Sequence, residues 1–152
     1  MVEQFEVKPN PIEKSNSTVY TINYHIVFCP KYRKSVLMNE IKSSLELIFE
    51  SILKAENMNL LEMEIMPDHV HLFVTAHPKH SPMEIVKKLK GISARLLFKQ
   101  NPKFKEKEYW GGHLWSQGYY IGTAGVITKD AILKYIQSNT KLNEVKLANS
   151  SN

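Results

Sequence analysis

Runs of apolar residues predict four strands. β-Branched and aromatic side chains dominate residues 18–28, which is typical of a first strand. Residues 59–66 alternate apolar side chains with polar ones, and residues 69–75 form a second apolar run after Pro67–Asp68, so we expect a β-hairpin. Residues 114–123, which are rich in aromatic side chains, predict a last strand.

Helical spacing of apolar residues separates these strands. Residues 39–57 and 82–100 each repeat apolar side chains every three to four positions, with Asn39 as the expected N-cap of the first helix and a Ser-Pro pair opening the second. A third helix is predicted over residues 129–147, with Thr128 as its N-cap. Each helix presents one apolar face, as expected for packing against a sheet.

The order strand, helix, hairpin, helix, strand, helix predicts an α+β fold. We expect an antiparallel sheet with helices packed on one face, of the ferredoxin or RRM type. Residues 18–147 are interpreted as a single domain, residues 1–17 as a flexible leader and residues 148–152 as a frayed tail. Residues 101–112 are predicted to be a polar loop.

Composition narrows the range of partners. The 152 residues, 43% of them hydrophobic, suffice for one globular core, and the net charge of +5 favours an anionic partner, although solubility alone explains it equally well. The single cysteine, Cys29, excludes an internal disulfide and a cysteine-rich zinc site. Because no apolar run approaches the roughly 18 residues that span a bilayer, we expect a cytoplasmic protein without membrane contact.

The most informative local pattern is His69-Val70-His71. Side chains two positions apart on a strand project from the same face, so the two imidazoles are expected side by side, as in a metal site. The pattern is weak by itself, because such pairs are more often structural. The other histidines lack this spacing and are assigned to core, loop or surface roles: His25, His77, His80 and His113.

A second candidate site lies on the last predicted helix. Tyr135 and Asn139 are one helical turn apart and therefore share a face. A phenol with a pKa of about 10 needs a polarised phosphate or a nearby base before it can attack. The Asn139 amide oxygen could serve as a metal ligand. A tyrosine among apolar residues is, however, more often part of the core.

Basic residues provide a candidate surface for nucleic acid. They follow the first strand and lie on the second helix, and cations at such positions neutralise phosphates or simply face solvent. The candidates for DNA contact are Lys31, Arg33, Lys87, Lys90 and Arg95. Aromatic residues near the last strand, Trp110, Trp115, Tyr119 and Tyr120, could stack on unpaired bases or belong to the core.

Five sequence blocks occur in order between about residues 20 and 141. They are Tyr24-His25-Ile26-Val27-Phe28 with Pro30-Lys31-Tyr32-Arg33, Met66-Pro67-Asp68-His69-Val70-His71-Leu72, Lys90-Gly91 with Ser93-Ala94-Arg95, Tyr119-Tyr120-Ile121 with Gly125, and Lys134-Tyr135-Ile136. Together they resemble the single-tyrosine His-hydrophobic-His transposases of the small insertion-sequence type, the IS200-like family. Members of that family mobilise insertion sequences as single-stranded DNA.

The resemblance implies roles for individual residues. His69 and His71 would be ligands of Mg²⁺ or Mn²⁺, and Tyr135 would be the nucleophile. Asn139 stands where family members commonly carry glutamine, so its assignment as a further metal ligand is an expectation. The resemblance also implies a homodimer whose active sites combine histidines of one chain with Tyr135 of the other, with Gly125 as the hinge.

The activity implied is cleavage and rejoining of single-stranded DNA with hairpin ends through a 5′-phosphotyrosine intermediate. Two alternatives remain open at this point. One is a non-catalytic or domesticated nucleic-acid-binding relative, and the other is a metal-dependent phosphohydrolase that uses water as its nucleophile. A related class that acts on repetitive extragenic palindromes is often monomeric and has extra C-terminal sequence.

Overall fold

Two short antiparallel strands of two residues each precede a four-stranded antiparallel sheet. The computed structural model describes residues 12–14, 19–109, 111–123, 134, 135 and 137. The strands are β1 (Glu13–Lys14), β2 (Val19–Tyr20), β3 (Asn23–Phe28), β4 (Leu60–Met66), β5 (His69–Thr75) and β6 (Tyr120–Thr123). In the large sheet the spatial order is β4-β5-β3-β6.

The helices whose bounds are described are α1 (Asn39–Ala55), α2 (Pro82–Gln100), α3 (Pro102–Glu108) and a short 3-10 helix after β3 (Lys31–Arg33). Helix α1 connects β3 to β4, and α2 with α3 connects β5 to β6. Two strand–helix–strand units therefore place β3 and β5 at the centre of an antiparallel sheet, which is the ferredoxin or RRM arrangement. The predicted α+β fold is confirmed.

The two faces of the sheet have different surroundings. Alternation along the strands points Ile26, Phe28 and Leu72 towards the helices, where they join one buried apolar cluster with residues of α1 and α2. Their neighbours in sequence, among them His25 and His71, point to the opposite face. The sheet thus separates these two histidines from the apolar core.

The ends of the helices follow the sequence pattern in part. Ser81 caps α2 as predicted, because its hydroxyl accepts a hydrogen bond from the Glu84 amide at 3.2 Å. The predicted N-cap of α1 is wrong. Asn39 has a φ of 56°, outside the extended range of an N-cap, and Met38 takes the cap position without a side-chain hydrogen bond.

The polar loop predicted over residues 101–112 contains a helix. Pro102 occupies the first turn of α3, where its missing N–H costs nothing. The Phe104 ring lies 6.2 Å from the Phe98 ring and 5.7 Å from the Tyr109 ring, so one apolar side anchors an otherwise charged helix. The polar composition of this segment predicted a loop, because the contact with Phe98 of α2 is not visible in the local sequence.

The last strand is shorter than predicted. Within the described part of the chain, residues 120–123 pair with β3, while Trp115 makes an isolated bridge with Pro30. Between them, the Lys90 ammonium group donates to the carbonyl oxygens of Ser116, Gln117 and Gly118 at 2.5, 3.2 and 3.2 Å. This clamp satisfies carbonyls that a continuous strand would have paired with another strand.

Some predicted segments extend beyond the described residues. Glu13 and Lys14, in the predicted flexible leader, pair with Tyr20 and Val19 and so belong to a strand. Of the predicted final helix, residues 134, 135 and 137 are described, each in helical conformation, whereas Gly125, Asn139 and residues 148–152 lie outside the description. No helix in the described ranges has the length and apolarity that crossing a membrane requires.

Candidate active site

Strand β5 presents two imidazoles on the face of the sheet that points away from the helices. His69 and His71 are two residues apart, and His71 is paired with Val27 of β3 and Glu64 of β4. His71 is 2% exposed, whereas the His69 side chain keeps 15% of its surface accessible. The strand geometry therefore brings the predicted pair together at the edge of a buried region.

His25 is a third imidazole on this face. Its Nδ1 lies 3.0 Å from Nε2 of His71, and its ring stacks on Phe73 with centroids 4.2 Å apart. Sequence spacing missed His25 because it lies 46 residues from His71. Only the pairing of β3 with β5, which sets His25 opposite Phe73, reveals that it belongs to the site.

Burial keeps His71 uncharged at neutral pH. Desolvation, followed by the charges of His25 and His69, lowers the pKa of His71 from 6.5 to about 4. A neutral imidazole retains a nitrogen lone pair. His71 is therefore in the protonation state that metal binding requires.

The same pKa predicts how stability depends on pH. Between pH 6.5 and about 4 the unfolded chain binds a proton at His71 that the folded chain does not, so the free energy of unfolding falls as the pH drops through this window. The full loss is about 3 kcal/mol for this group. Urea unfolding of the wild type and of His71→Gln at pH 7.5, 5.5 and 4.5 measures it, and equal pH dependence in both proteins would contradict the prediction.

Asp68 connects the site to the turn after β3. Its Oδ1 lies 2.9 Å from Nδ1 of His69, and its Oδ2 lies 3.1 Å from Nε of Arg33. Asp68 sits in the two-residue turn between β4 and β5. Sequence spacing does not indicate this ion pair, so Asp68 had no predicted role and Arg33 was predicted only as a DNA contact.

The donor set suits a divalent cation that also has other ligands. Two neighbouring imidazoles, one of them held neutral, fit Mn²⁺ or another transition ion and can also serve Mg²⁺. Within the described ranges, no group of three or more His, Cys, Asp or Glu side chains is arranged to hold a metal. His69 and His71 would thus need oxygens from the substrate, from water or from residues such as Asn139.

Tyr135 carries a phenol whose oxygen is buried. Its hydroxyl has no hydrogen-bond partner among the residues that the structure describes. Burial, reinforced by the nearby Cys29 thiol, raises the pKa of Tyr135 above its ordinary value. The phenol is therefore protonated at neutral pH.

The basic residues predicted to contact DNA fall into two groups, those whose charged groups contact other residues of the chain and those exposed to solvent. Lys90 is bound to three carbonyls, and burial lowers the pKa of its ammonium group despite the opposing effect of Cys29. Arg33 is paired with Asp68, and the Lys31 ammonium group lies 5.3 Å from the Tyr32 ring centre. Lys87 and Arg95 are exposed on α2. Their contact with DNA stays a prediction.

Comparison with known proteins identifies the family. A family model described as IS200-like transposase matches residues 18–139, which include the imidazole pair and Tyr135. The chain belongs to the IS200-like transposase family. The resemblance inferred from the five sequence blocks is thereby confirmed.

Two relatives of this IS200-like transposase each match more than two thirds of the chain. This chain is 40% identical over 134 residues to the ISDra2 transposase TnpA of Deinococcus radiodurans, and the match covers 88% of this chain and 95% of that protein. It is 34% identical over 108 residues to the transposase for insertion sequence element IS200 of Salmonella typhimurium, covering 71% of this chain and 70% of that one.

Solved structures agree with the fold. A crystal structure of a transposase from Deinococcus radiodurans matches with a TM-score of 0.76 at 37% identity, covering 84% of this chain and 97% of that one. A REP-associated tyrosine transposase bound to a REP hairpin matches with a TM-score of 0.51 at 13% identity, covering 78% and 64%. This second likeness concerns the fold alone.

Proposed function

We propose that this IS200-like transposase cleaves and rejoins single-stranded DNA with the Tyr135 hydroxyl as nucleophile. The observation that supports this most directly is the pair of imidazoles on one face of β5, which fits the metal-assisted chemistry that a tyrosine nucleophile needs. Burial holds His71 neutral, and the Tyr135 hydroxyl is buried without a hydrogen-bond partner among the described residues. Family membership supports DNA transposition, and this arrangement supports the choice of nucleophile.

The proposed chemistry is a transesterification. The Tyr135 oxygen attacks the scissile phosphorus, the bond from phosphorus to the 3′-oxygen breaks, and a 5′-phosphotyrosine and a free 3′-hydroxyl result. The phenol proton passes to solvent or to the leaving 3′-oxygen. Rejoining is the same step reversed with another 3′-hydroxyl, so one phosphodiester replaces another of similar energy and no nucleotide cofactor is needed.

The chain's own residues set the requirements of this step. Because burial raises the pKa of Tyr135, its hydroxyl has to be activated when the phosphate binds. His69 and His71 would hold a divalent cation, Mg²⁺ or Mn²⁺, with Asn139 as a proposed further ligand. When bound, such a cation would supply Lewis-acid polarisation of the scissile phosphate.

The proposed substrate is single-stranded DNA with hairpins near the element ends. A solved relative is bound to a REP hairpin, and this chain carries a net charge of +5 with exposed cations at Lys87 and Arg95. We also propose a homodimer in which the histidines of one chain meet Tyr135 of the other, with Gly125 as the hinge. Light scattering at micromolar concentration tests the dimer.

A covalent-adduct assay tests the proposed function. The full chain is incubated with oligonucleotides from the DNA flanking its gene, in single-stranded and annealed forms, with Mg²⁺, Mn²⁺ or EDTA, and resolved on a denaturing gel. We expect a protein–DNA adduct only with the single strand and a metal. Cleavage without an adduct would instead indicate a hydrolase that uses water, and binding without cleavage would indicate a non-catalytic relative.

A further inference from the structure

A chain of polar contacts leads from the loop after β3 to one imidazole of the active site. The Asp68 carboxylate is shared between Nε of Arg33 at 3.1 Å and Nδ1 of His69 at 2.9 Å. The Arg33 and Asp68 side chains are 35% and 23% exposed. All three groups are thus partly shielded from water, where charge-assisted hydrogen bonds are stronger than on an open surface.

The chemistry of a carboxylate decides which nitrogen of His69 carries the proton. An ionised carboxylate only accepts hydrogen bonds, so Nδ1 of His69 must be the donor. In the neutral imidazole the lone pair then resides on Nε2. A carboxylate behind a metal-binding histidine fixes the ring and raises its basicity in the same way at many metal sites.

The backbone that carries Arg33 is held in an uncommon conformation. Tyr32 and Arg33 have φ values of 63° and 50°, in the left-handed region that non-glycine residues adopt only at a cost in free energy. Two backbone bonds keep the loop in place: Arg33 N–H donates to Pro30 at 2.8 Å and Leu37 N–H donates to Pro67 at 3.0 Å. The second bond ties the loop to the turn that contains Asp68.

We propose that Asp68 and Arg33 are positioning residues, which hold His69 in the Nδ1–H form with Nε2 available to the divalent cation. Asp68 orients the imidazole, and Arg33 orients the Asp68 carboxylate. The inference rests on the proposed function, in which His69 is a metal ligand. It gives Arg33 a role different from direct DNA contact and explains why a strained loop is locked to the β4–β5 turn.

The first measurement needs no metal and no DNA. Nitrogen NMR of ¹⁵N-histidine-labelled protein reports which nitrogen of His69 is protonated. We expect the Nδ1–H form in the wild type, a shift towards the Nε2–H form in Asp68→Ala, and a smaller shift in Arg33→Ala. Arg33→Lys should restore part of the effect, because an ammonium group keeps the charge but not the fork of donors.

The second measurement is the affinity for Mn²⁺, determined by electron paramagnetic resonance on the full chain without DNA. Loss of an outer partner typically weakens metal binding about 10–100-fold, so we expect this range for Asp68→Ala and a smaller loss for Arg33→Ala. Glu50→Gln and Lys54→Ala, two exposed positions on α1, remove the same charges away from the site and should leave the affinity unchanged. Thermal unfolding of each variant verifies that it is folded.

The outcomes separate this inference from the proposed function. If His69→Ala weakens Mn²⁺ binding while Asp68→Ala keeps both the wild-type proton position and the wild-type affinity, the positioning role is wrong and the metal role of His69 stands. If His69→Ala leaves Mn²⁺ affinity unchanged, the metal assignment fails. Arg33→Ala provides the same test should Asp68→Ala not fold, since its side chain is more exposed.

Discussion

Replacing Tyr135 with phenylalanine is expected to abolish the covalent protein–DNA adduct and to reduce cleavage by at least about a thousand-fold, as removal of a catalytic nucleophile does. The variant lacks one oxygen atom, and that hydroxyl has no hydrogen-bond partner among the described residues. Stability should therefore change little, because no described hydrogen bond is lost. Adduct yield on a denaturing gel and the midpoint of thermal unfolding measure the two effects.

Tyr109→Phe is the matched control. Its hydroxyl is likewise buried without a described partner, and burial likewise raises the pKa of its phenol. Tyr109, however, packs between Phe98 and Phe104 on the helix side of the molecule. It should retain full adduct formation. An undiminished adduct in Tyr135→Phe would show that another residue is the nucleophile.

Replacing His69 with alanine is expected to lower cleavage by about a hundred-fold or more at limiting Mn²⁺, since even loss of an outer partner of a metal ligand costs about 10–100-fold. Part of the activity should return when Mn²⁺ is raised, because His71 and the substrate oxygens remain as ligands. Cleavage rates titrated against Mn²⁺ at constant DNA measure this. His113→Ala changes an exposed histidine that is not part of β5 and should behave as the wild type.

Mixing the two inactive variants tests how the site is assembled. If the histidines of one chain act with the tyrosine of the other, a heterodimer of Tyr135→Phe and His69→Ala contains one complete site and regains activity. If each site is built within one chain, the mixture stays inactive.

Equal activity of His69→Ala and wild type across the whole Mn²⁺ range would refute the proposed metal role.

The sequence by itself determined those features that depend on neighbours along the chain. Alternation and helical spacing predicted the hairpin around Pro67–Asp68, the helix α2 with its Ser81 cap, and the projection of His69 and His71 from one face. These features follow from the periods of two and 3.6 residues that backbone geometry imposes. The order of the five blocks added the family, which a short motif alone does not specify.

Only the tertiary structure decided which distant residues complete the site. His25 meets His71 across 46 residues, and Arg33 reaches Asp68 from another loop. Local periodicity contains no information on strand order, which sets these contacts. For the same reason two predictions differed from the structure. Helix α3, stabilised by packing on Phe98, lies where a loop was predicted. The loop held by Lys90 lies where a strand was predicted. Side chains far apart in sequence meet only once the sheet has formed.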